Sequence, residues 1–235
     1  MSDEDVPGII KAHAPILHFH PDEGEYCCYP TSAEEIYKNY GQRWHEYRKI
    51  LTPSILDQDA PCYFELWEDE KLTHLRYWFY YNYNRFPKAP LGLGEHAGDW
   101  EHVELRIYKE GTIWLLSNHL KCRLASLPRN MTFPGYATTE PILTGNQIHI
   151  WVALGSHACY PSPDSRPYCF AKILCDVIED GGAVYDSSRN LVDLTRTNFY
   201  SFTGRWGDSG SPRSPTNDYN NRWRNIPNHR PVRTE

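Results

Sequence analysis

Apolar and polar residues alternate along several short stretches of the chain, which is typical of half-buried β-strands. In residues 15–20 (PILHFH), Ile16, His18 and His20 share one face while Leu17 and Phe19 share the other. Further strands are predicted over residues 62–68, 75–84, 103–108, 112–119, 147–154 and 169–178. Many short strands separated by turn residues favour a β-sandwich.

One segment has helical spacing. Ser32-Ala33-Glu34-Glu35 is typical of a capping box, and the apolar residues after it predict a helix over about 33–50, with a weak point at Gly41. Beyond residue 200 the chain is rich in Gly, Ser, Pro, Asn and Arg and has little periodicity. We therefore expect a mainly β, single-domain sandwich with one or a few helices, a core over about 12–208 and an irregular tail over 209–235, which is wrapped over the domain or partly disordered.

Composition excludes several classes of function. The length of 235 residues suits one domain, and 40% hydrophobic with 23% charged residues is ordinary for a globular protein. A net charge of −6 argues against nucleic acid as a partner. No apolar run approaches the roughly 18 residues of a transmembrane segment. The acidic N-terminus lacks the features of a secretory signal, so we expect a cytoplasmic protein.

Two residue types are unusual in number. The chain has seven cysteines with no CxxC pair, and Cys27 and Cys28 are adjacent, which predicts reduced thiols in an intracellular protein. It also has 17 Tyr and 8 Trp. These aromatic residues either build a β-rich core or line a site for sugars or lipid head groups.

The stretch from Gly94 to His102 (GEHAGDWEH) carries the densest chemistry. It leads directly into the alternating strand 103–108, so Asp99 and Glu101 share the inward face with Val103 and further apolar residues. Buried carboxylates need a positive partner, because unpaired buried charge is very costly. His96, in the turn just before, is placed to help hold a cation.

This array predicts one divalent cation held by His96, Asp99 and Glu101. Carboxylates suit Mg²⁺, Ca²⁺ or Mn²⁺, which we favour over Zn²⁺, although a histidine also suits transition metals. Asn84, at the end of the preceding strand, supplies a fourth ligand or only terminates that strand. The alternative for the array is an Asp that caps a turn and a Glu paired with an arginine.

Candidate catalytic histidines lie around this motif. His157 in Gly155-Ser156-His157 approaches from a second strand end, as an acid, base or ligand rather than as part of a nucleophile pair. His102 lies on the opposite face from Asp99, which favours an indirect role. His20 belongs either to an exposed turn or to a wall of the same cleft.

Three residues are candidates for contact with a substrate. Tyr81 lies in the aromatic strand 75–84, and Arg205 and Asp208 lie in the segment GRWGD. Arg205 either binds a substrate anion or pairs with Asp208.

The segments APILHFHPDE (14–23), YWFYYNYN (77–84), GLGEHAGDWEHVELRIY (92–108) and VALGSHACYP (152–161) resemble the vacuolar protein sorting-associated protein 62 family. GRWGD (204–208) is similar to a C-terminal element of that family. The resemblance covers most of the chain and implies a fold and a metal site, but it does not imply a reaction.

A more distant resemblance is to the necrosis-inducing cytolysins, whose heptapeptide has the form GHRHDWE. Alignment on DWE brings its first histidine onto His96 and its acidic pair onto Asp99 and Glu101. The resemblance implies a divalent cation on a β-sandwich, at a cavity that recognises sphingolipid head groups. A further acidic ligand of that family falls near Asn84, where this chain has lost the charge. Those proteins are secreted and disulfide-bonded, so their toxin activity is not expected here.

Three functions remain open at this point. In the first, the cation polarises a small-molecule substrate for hydrolysis, elimination or cyclisation, with His157, His102 or His20 as acid or base. In the second, the cation bridges to a glycan or lipid head group on which Tyr and Trp side chains stack. In the third, the cation is purely structural.

Overall fold

The structure is a computed structural model that describes residues 6–41, 49–68, 70–109, 113–117, 121–123, 142–170, 172–207 and 209–217. Its helices are α1 (Gly8–His13), α2 (Glu23–Tyr26) and α3 (Ala33–Tyr40). Its strands are β1 (Ile16–Phe19), β2 (Cys62–Glu68), β3 (Leu72–Asn84), β4 (His96–Tyr108), β5 (Ile113–Ser117), β6 (Lys121–Arg123), β7 (Leu143–Thr144), β8 (Gln147–Val152), β9 (Cys159–Tyr160), β10 (Cys169–Phe170), β11 (Leu174–Cys175), β12 (Val184–Asp186) and β13 (Leu191–Asp193).

The strands form two main sheets, which confirms a mainly β, single-domain fold. In the described residues the larger sheet has the order β13-β2-β3-β4-β5-β6, and the smaller has the order β12-β1-β8-β7 with β9 also paired to β8. The pairs β1–β8 and β13–β2 are parallel, and the other pairs of these sheets are antiparallel.

The main core lies between the two sheets. Alternate residues of β1 face it, since Leu17 and Phe19 are fully buried while Ile16 and His18 are partly exposed, as the alternation predicts. The long strands β3 and β4 contribute Tyr77, Phe79 and Val103 from the other side. Other large members of this core include Phe64, Leu75, Tyr81, Leu105, Ile148, Ile150 and Tyr185.

A second apolar cluster covers the opposite face of the larger sheet. Trp78, Tyr80 and Trp100 pack there against Phe199 and Trp206 from the C-terminal part of the chain. β3 is therefore buried on both faces, which explains its nearly continuous apolar and aromatic sequence.

The structure corrects two predicted elements. The helix that begins after Ser32, whose hydroxyl accepts a hydrogen bond from the Glu35 amide, ends at Tyr40 and does not reach residue 50. Gly41 has a φ of +50°, which helical backbone excludes. The predicted strand over 169–178 is instead a hairpin of β10 and β11.

The cysteine prediction is also wrong in part. Cys169 and Cys175 form a disulfide across the β10–β11 hairpin. Cys27, Cys28, Cys62 and Cys159 are free, as predicted, and all four are buried. The side chain of Cys122 lies outside the described residues. The cytoplasmic location stays a prediction.

Residues 209–217 contain no helix or strand, and the proposed domain boundaries stay a prediction. In the described part of the chain, no helix is both long enough and apolar enough to cross a membrane.

Candidate metal centre

The motif around Asp99 lies inside β4, which begins at His96 itself. The prediction that His96 sits in the turn before the strand is therefore wrong. β4 pairs with β3 so that Asp99 is opposite Tyr81 and Glu101 is opposite Phe79. Asp99 and Glu101 are only 5% and 7% exposed, so the predicted burial of both carboxylates is confirmed.

Asp99, on the larger sheet, contacts His157, which lies next to the smaller sheet on the other side of the core. Its Oδ2 lies 3.0 Å from Nδ1 of His157, which follows β8 and is fully buried. The imidazole stacks on the ring of Tyr81 with centroids 3.8 Å apart and an interplanar angle of 4°. The φ of His157 is +55°, a region that non-glycine residues rarely adopt and that is enriched at functional sites.

Glu23 is a second carboxylate on the same imidazole. It is fully buried at the start of α2, and its Oε1 lies 3.5 Å from Nε2 of His157. Its Oε2 accepts a hydrogen bond from the backbone of Gly155, which joins α2 to the loop that carries His157. Burial acts to lower the pKa of His157. The hydrogen bond to Asp99, together with the neighbouring side chains of Cys27, Cys28 and Glu23, outweighs burial and raises that pKa well above its ordinary value.

Two thiols complete the cluster. The Sγ atoms of Cys27 and Cys28 are 3.1 Å apart, and each thiol also donates to the carbonyl oxygen of Tyr83. The contact with Cys28 lowers the pKa of Cys27 to about 6 against the opposing effect of burial. Burial raises the pKa of the Cys28 thiol. The shared contact therefore favours ionisation of Cys27 over ionisation of Cys28.

Among the residues that the structure describes, Cys27, Cys28 and His157 are the one group of three or more potential His, Cys, Asp or Glu ligands whose donor atoms all lie within 4.8 Å of one another. His96, Asp99 and Glu101 do not form such a group. Nδ1 of His96 lies 2.9 Å from the carbonyl oxygen of Gly98. The cation site at His96, Asp99, Glu101 and Asn84 stays a prediction.

The position of Asn84 is compatible both with a metal ligand and with a residue that only terminates β3. It is buried at the end of β3, directly opposite His96 in the sheet. Its amide nitrogen donates to the carbonyl oxygen of Gly94 at 3.1 Å. Because an amide oxygen accepts independently of this bond, Asn84 keeps a neutral oxygen ligand.

The other candidate histidines lie apart from this cluster. His102 is buried on the opposite face of β4, with its ring 4.6 Å from that of Trp78, which agrees with the predicted face. His20 is buried rather than in an exposed turn, and its Nε2 lies 3.4 Å from Glu179. The carbonyl oxygen of His20 accepts from the Glu23 amide, so His20 positions the start of α2 through its backbone.

The structure also locates the residues predicted to bind substrate. Tyr81 is fully buried against His157, where it packs under the imidazole and is shielded from solvent. Arg205 donates to the carbonyl oxygen of Ser211. Asp208 lies outside the described residues.

The segment around Trp206 packs against the start of β4, on the face of the sheet opposite Asp99. Trp206 packs on Trp100 with centroids 5.3 Å apart, and the Ser211 hydroxyl donates to the carbonyl oxygen of Ala97. Gly98 has a φ of +65°, and a Cβ atom there would overlap the carbonyl oxygen of Trp206. The two segments therefore form one packed unit on the outer side of β4.

The chain matches no family model and no curated protein sequence. It is similar in structure to Necrosis and Ethylene inducing Protein 2 from the causal agent of cocoa's witches' broom disease, with 10% identity and a TM-score of 0.44 over 83% of this chain and 77% of the other. The non-toxic HaNLP3 protein has 13% identity and a TM-score of 0.41 over 80% and 74% of the two chains. NLPPya, in complex with mannosamine, has 14% identity and a TM-score of 0.38 over 78% and 71%.

The first of these proteins carries the name of the necrosis-inducing class that the sequence resembles distantly. None of these findings supports the resemblance to the vacuolar protein sorting-associated protein 62 family, which stays a prediction.

Sequence reasoning did not find the cluster that Glu23, Cys27 and Cys28 form with His157. The adjacent cysteines four residues after a glutamate were visible, but that spacing has no recognised ligand pattern. Only the fold brings these residues close to His157, which is about 130 positions away in the chain.

Proposed function

We propose that the protein is a cation-dependent module that binds a sugar or a lipid head group at the end of the sandwich where β3 ends and β4 begins. The observation that carries the proposal is the sharing of one buried imidazole by two buried carboxylates. Nδ1 of His157 contacts Asp99, and Nε2 faces Glu23.

The charge of this centre supports a bound cation. An imidazolium would balance only one of the carboxylates of Asp99 and Glu23, and a neutral imidazole would balance neither. Excess negative charge in an apolar core is costly unless a further positive group offsets it. Oxygen ligands from Asp99, Glu101 and Asn84, with His96, suit Ca²⁺, Mg²⁺ or Mn²⁺, so this set is the one we propose.

Burial favours binding over catalysis. A general acid or base must come within hydrogen-bond reach of its substrate, but His157 has no exposed surface. Tyr81 and Glu23, on either side of it, are also fully enclosed. This enclosure supports a centre that holds an ion and fixes the surrounding loops, while the ligand contacts the rim.

The rim offers charged groups of both signs for such a ligand. The Tyr83 hydroxyl donates to Oε2 of Glu95 at 2.6 Å, and Nζ of Lys49 lies 3.7 Å from the same oxygen and 4.5 Å from the centre of the Tyr83 ring. Glu95 and Lys49 are partly exposed, beside the ends of β3 and β4. The neighbouring carboxylate and ammonium groups suit a hydroxyl-rich or zwitterionic head group, and the buried ring of Tyr83 supports them from below.

The test measures binding of soluble sugars by calorimetry and of vesicles with glycosylated or zwitterionic head groups by co-sedimentation, with Ca²⁺ or Mn²⁺ and with EDTA. We expect binding that EDTA and Asp99→Asn abolish. Glu95→Gln should weaken binding while the metal content stays unchanged. Asp59→Asn, at an exposed aspartate paired with Arg189, is the matched control and should bind normally.

Two results would contradict the proposal. Binding that survives complete removal of metal would exclude the cation dependence. Conversion of the bound ligand into a product, detected by mass spectrometry under multiple-turnover conditions, would favour the metal-dependent enzyme instead.

A further inference from the structure

We propose that Cys27, Cys28 and His157 form a second metal site, which binds Zn²⁺ in a closed, structural coordination with Glu23 as the fourth ligand. This site uses the opposite side of the imidazole from Asp99 and a different donor chemistry from the proposed rim cation. It does not depend on the proposed function.

The ligand set matches zinc chemistry. Thiolate sulfur and imidazole nitrogen are the usual ligands of structural Zn²⁺, and a carboxylate can complete the tetrahedron. Zn–S distances of about 2.3 Å and Zn–N distances of about 2.0 Å separate tetrahedral ligand atoms by roughly 3–4 Å. The three donor atoms here already lie within 4.8 Å of one another, and Oε1 of Glu23 is 3.5 Å from the imidazole Nε2. Movements of about an ångström therefore close the site.

The surroundings of His157 match those of a metal-bound imidazole. A ligating histidine usually donates its other ring N–H to a carboxylate, which fixes the ring and makes the ligating nitrogen more basic. Asp99 occupies that position, with Oδ2 3.0 Å from Nδ1. Nε2 and Oε1 of Glu23 both lack a hydrogen bond within the described part of the chain, so both are available to an ion.

The backbone of the loop after β8 also holds His157 close to the other proposed ligands. His157 has a φ of +55°, although it is not a glycine, and such strained conformations persist where the surrounding structure requires them. Its amide donates to the carbonyl oxygen of Ala153 at 3.0 Å, and the Gly155 amide donates to Glu23. The loop after β8 therefore holds the imidazole towards α2 and the two thiols.

All four residues are enclosed, which identifies the type of site. Glu23, Cys27, Cys28 and His157 are between 0% and 2% exposed. A catalytic zinc keeps a position open for water or substrate, whereas a structural zinc does not. Bound Zn²⁺ would tie the segment after α2 to the loop between β8 and β9, and binding would release thiol protons to the solvent.

Cobalt substitution tests the site directly, because thiolate ligands give Co²⁺ a near-ultraviolet charge-transfer band that oxygen ligands do not give. We expect one Zn²⁺ per chain in freshly purified protein. After replacement by Co²⁺, the wild type should show the band. The double variant Cys27→Ser/Cys28→Ser should lose both the band and the zinc. Cys62→Ser, at a buried free cysteine on β2, is the matched control and should retain both.

The wild-type spectrum decides the question even if the double variant does not fold. Stoichiometric Co²⁺ without a thiolate band would overturn the proposal, and so would a Cys27–Cys28 disulfide in the mass of the freshly purified chain. If the thiolate band is present but the protein shows no calcium-dependent ligand binding, only the proposed function is contradicted. Normal ligand binding by a wild-type chain without that band would contradict the zinc site alone.

Discussion

The carboxylate of Asp99 and the imidazole of His157 lie 3.0 Å apart and connect the two sheets of the sandwich through its core. Asp99 is on β4 of the larger sheet, while His157 lies in the loop between β8 and β9 of the smaller one. Charged pairs in an apolar core require both partners, because either one alone is left buried and uncompensated. The pair therefore has a structural role in addition to the role that we propose for it at a metal centre.

Asp99→Asn should destabilise the metal-free protein. Removal of one partner of a buried pair costs about 3–5 kcal/mol, and we expect roughly 3 kcal/mol because the Asn amide oxygen can still accept a hydrogen bond. Urea unfolding with EDTA present measures the change. Asp59→Asn removes an exposed partner of Arg189 at 3.0 Å and should cost less than about 1 kcal/mol. Equal effects of the two substitutions would contradict a coupled buried pair.

The inward direction of Asp99 and Glu101 could be predicted because a strand alternates its side chains with a period of two. The same alternation predicted the outward direction of Trp100 and His102, which pack on the second aromatic cluster. The start of β4 at His96 could not be predicted this way. The strand extends back to His96 through its pairing with β3, where His96 lies opposite Asn84. The Trp206 backbone, about 108 positions later, lies against Gly98.

The contacts of His157 could not be predicted from the local sequence pattern either. Its contact with Glu23 depends on how the loop after β8 meets a four-residue helix near the N-terminus. No periodicity within either segment specifies that meeting. Two adjacent cysteines carry no spacing signal either, so the thiols became candidates only when the fold brought an imidazole to them.

Gly98→Ala should destabilise the protein strongly. The substitution forces an alanine into a φ of +65° and also places its Cβ against the Trp206 carbonyl oxygen. The left-handed conformation costs about 1–2 kcal/mol, and the steric overlap adds to it because backbone, rather than a mobile side chain, must move. We expect a total loss of more than about 3 kcal/mol by urea unfolding.

Gly145→Ala separates the two contributions to that loss. Gly145 has a φ of +60° in the turn between β7 and β8, but a Cβ there meets nothing within 4 Å. Its substitution should therefore cost only the conformational term of about 1–2 kcal/mol. Similar losses at Gly98 and Gly145 would show that the contact with Trp206 contributes little.

Tyr81→Phe tests whether the buried tyrosine has a function beyond packing. Its hydroxyl makes no hydrogen bond within the described residues, and burial raises its pKa well above the ordinary value. Removal of an unsatisfied hydroxyl should leave the stability unchanged or raise it by about 1 kcal/mol, whereas Tyr81→Leu loses the stacking on His157 and should cost about 2–3 kcal/mol. Thermal unfolding measures both. Loss of metal or ligand binding in Tyr81→Phe would instead assign the hydroxyl to the site, as the sequence predicts.

The last prediction concerns a buried network of charged side chains on the opposite face of the larger sheet. Arg76 donates through Nε and Nη2 to Glu104, and its Nη1 lies 3.5 Å from Glu65. His74 and Arg106 also contact Glu104. Arg76 therefore compensates Glu104 more closely than Glu65, and burial raises the pKa of Glu65 to about 7 despite the hydrogen bond from Trp78.

Glu65→Gln should consequently remove one component of the pH dependence of stability. A carboxyl whose pKa is higher in the folded state stabilises that state fully below its unfolded pKa of 4.5, and the contribution is lost as the pH rises through about 7. At 1.36 kcal/mol per unit, the shift from 4.5 to about 7 corresponds to roughly 3 kcal/mol. Because glutamine stays neutral, the stability of the variant should gain on that of the wild type by up to this amount across the window. Urea unfolding at several pH values measures the difference, and Glu68→Gln, at the exposed end of the same strand, should give curves parallel to the wild type. Parallel curves for Glu65→Gln as well would mean that Arg76 holds Glu65 ionised throughout.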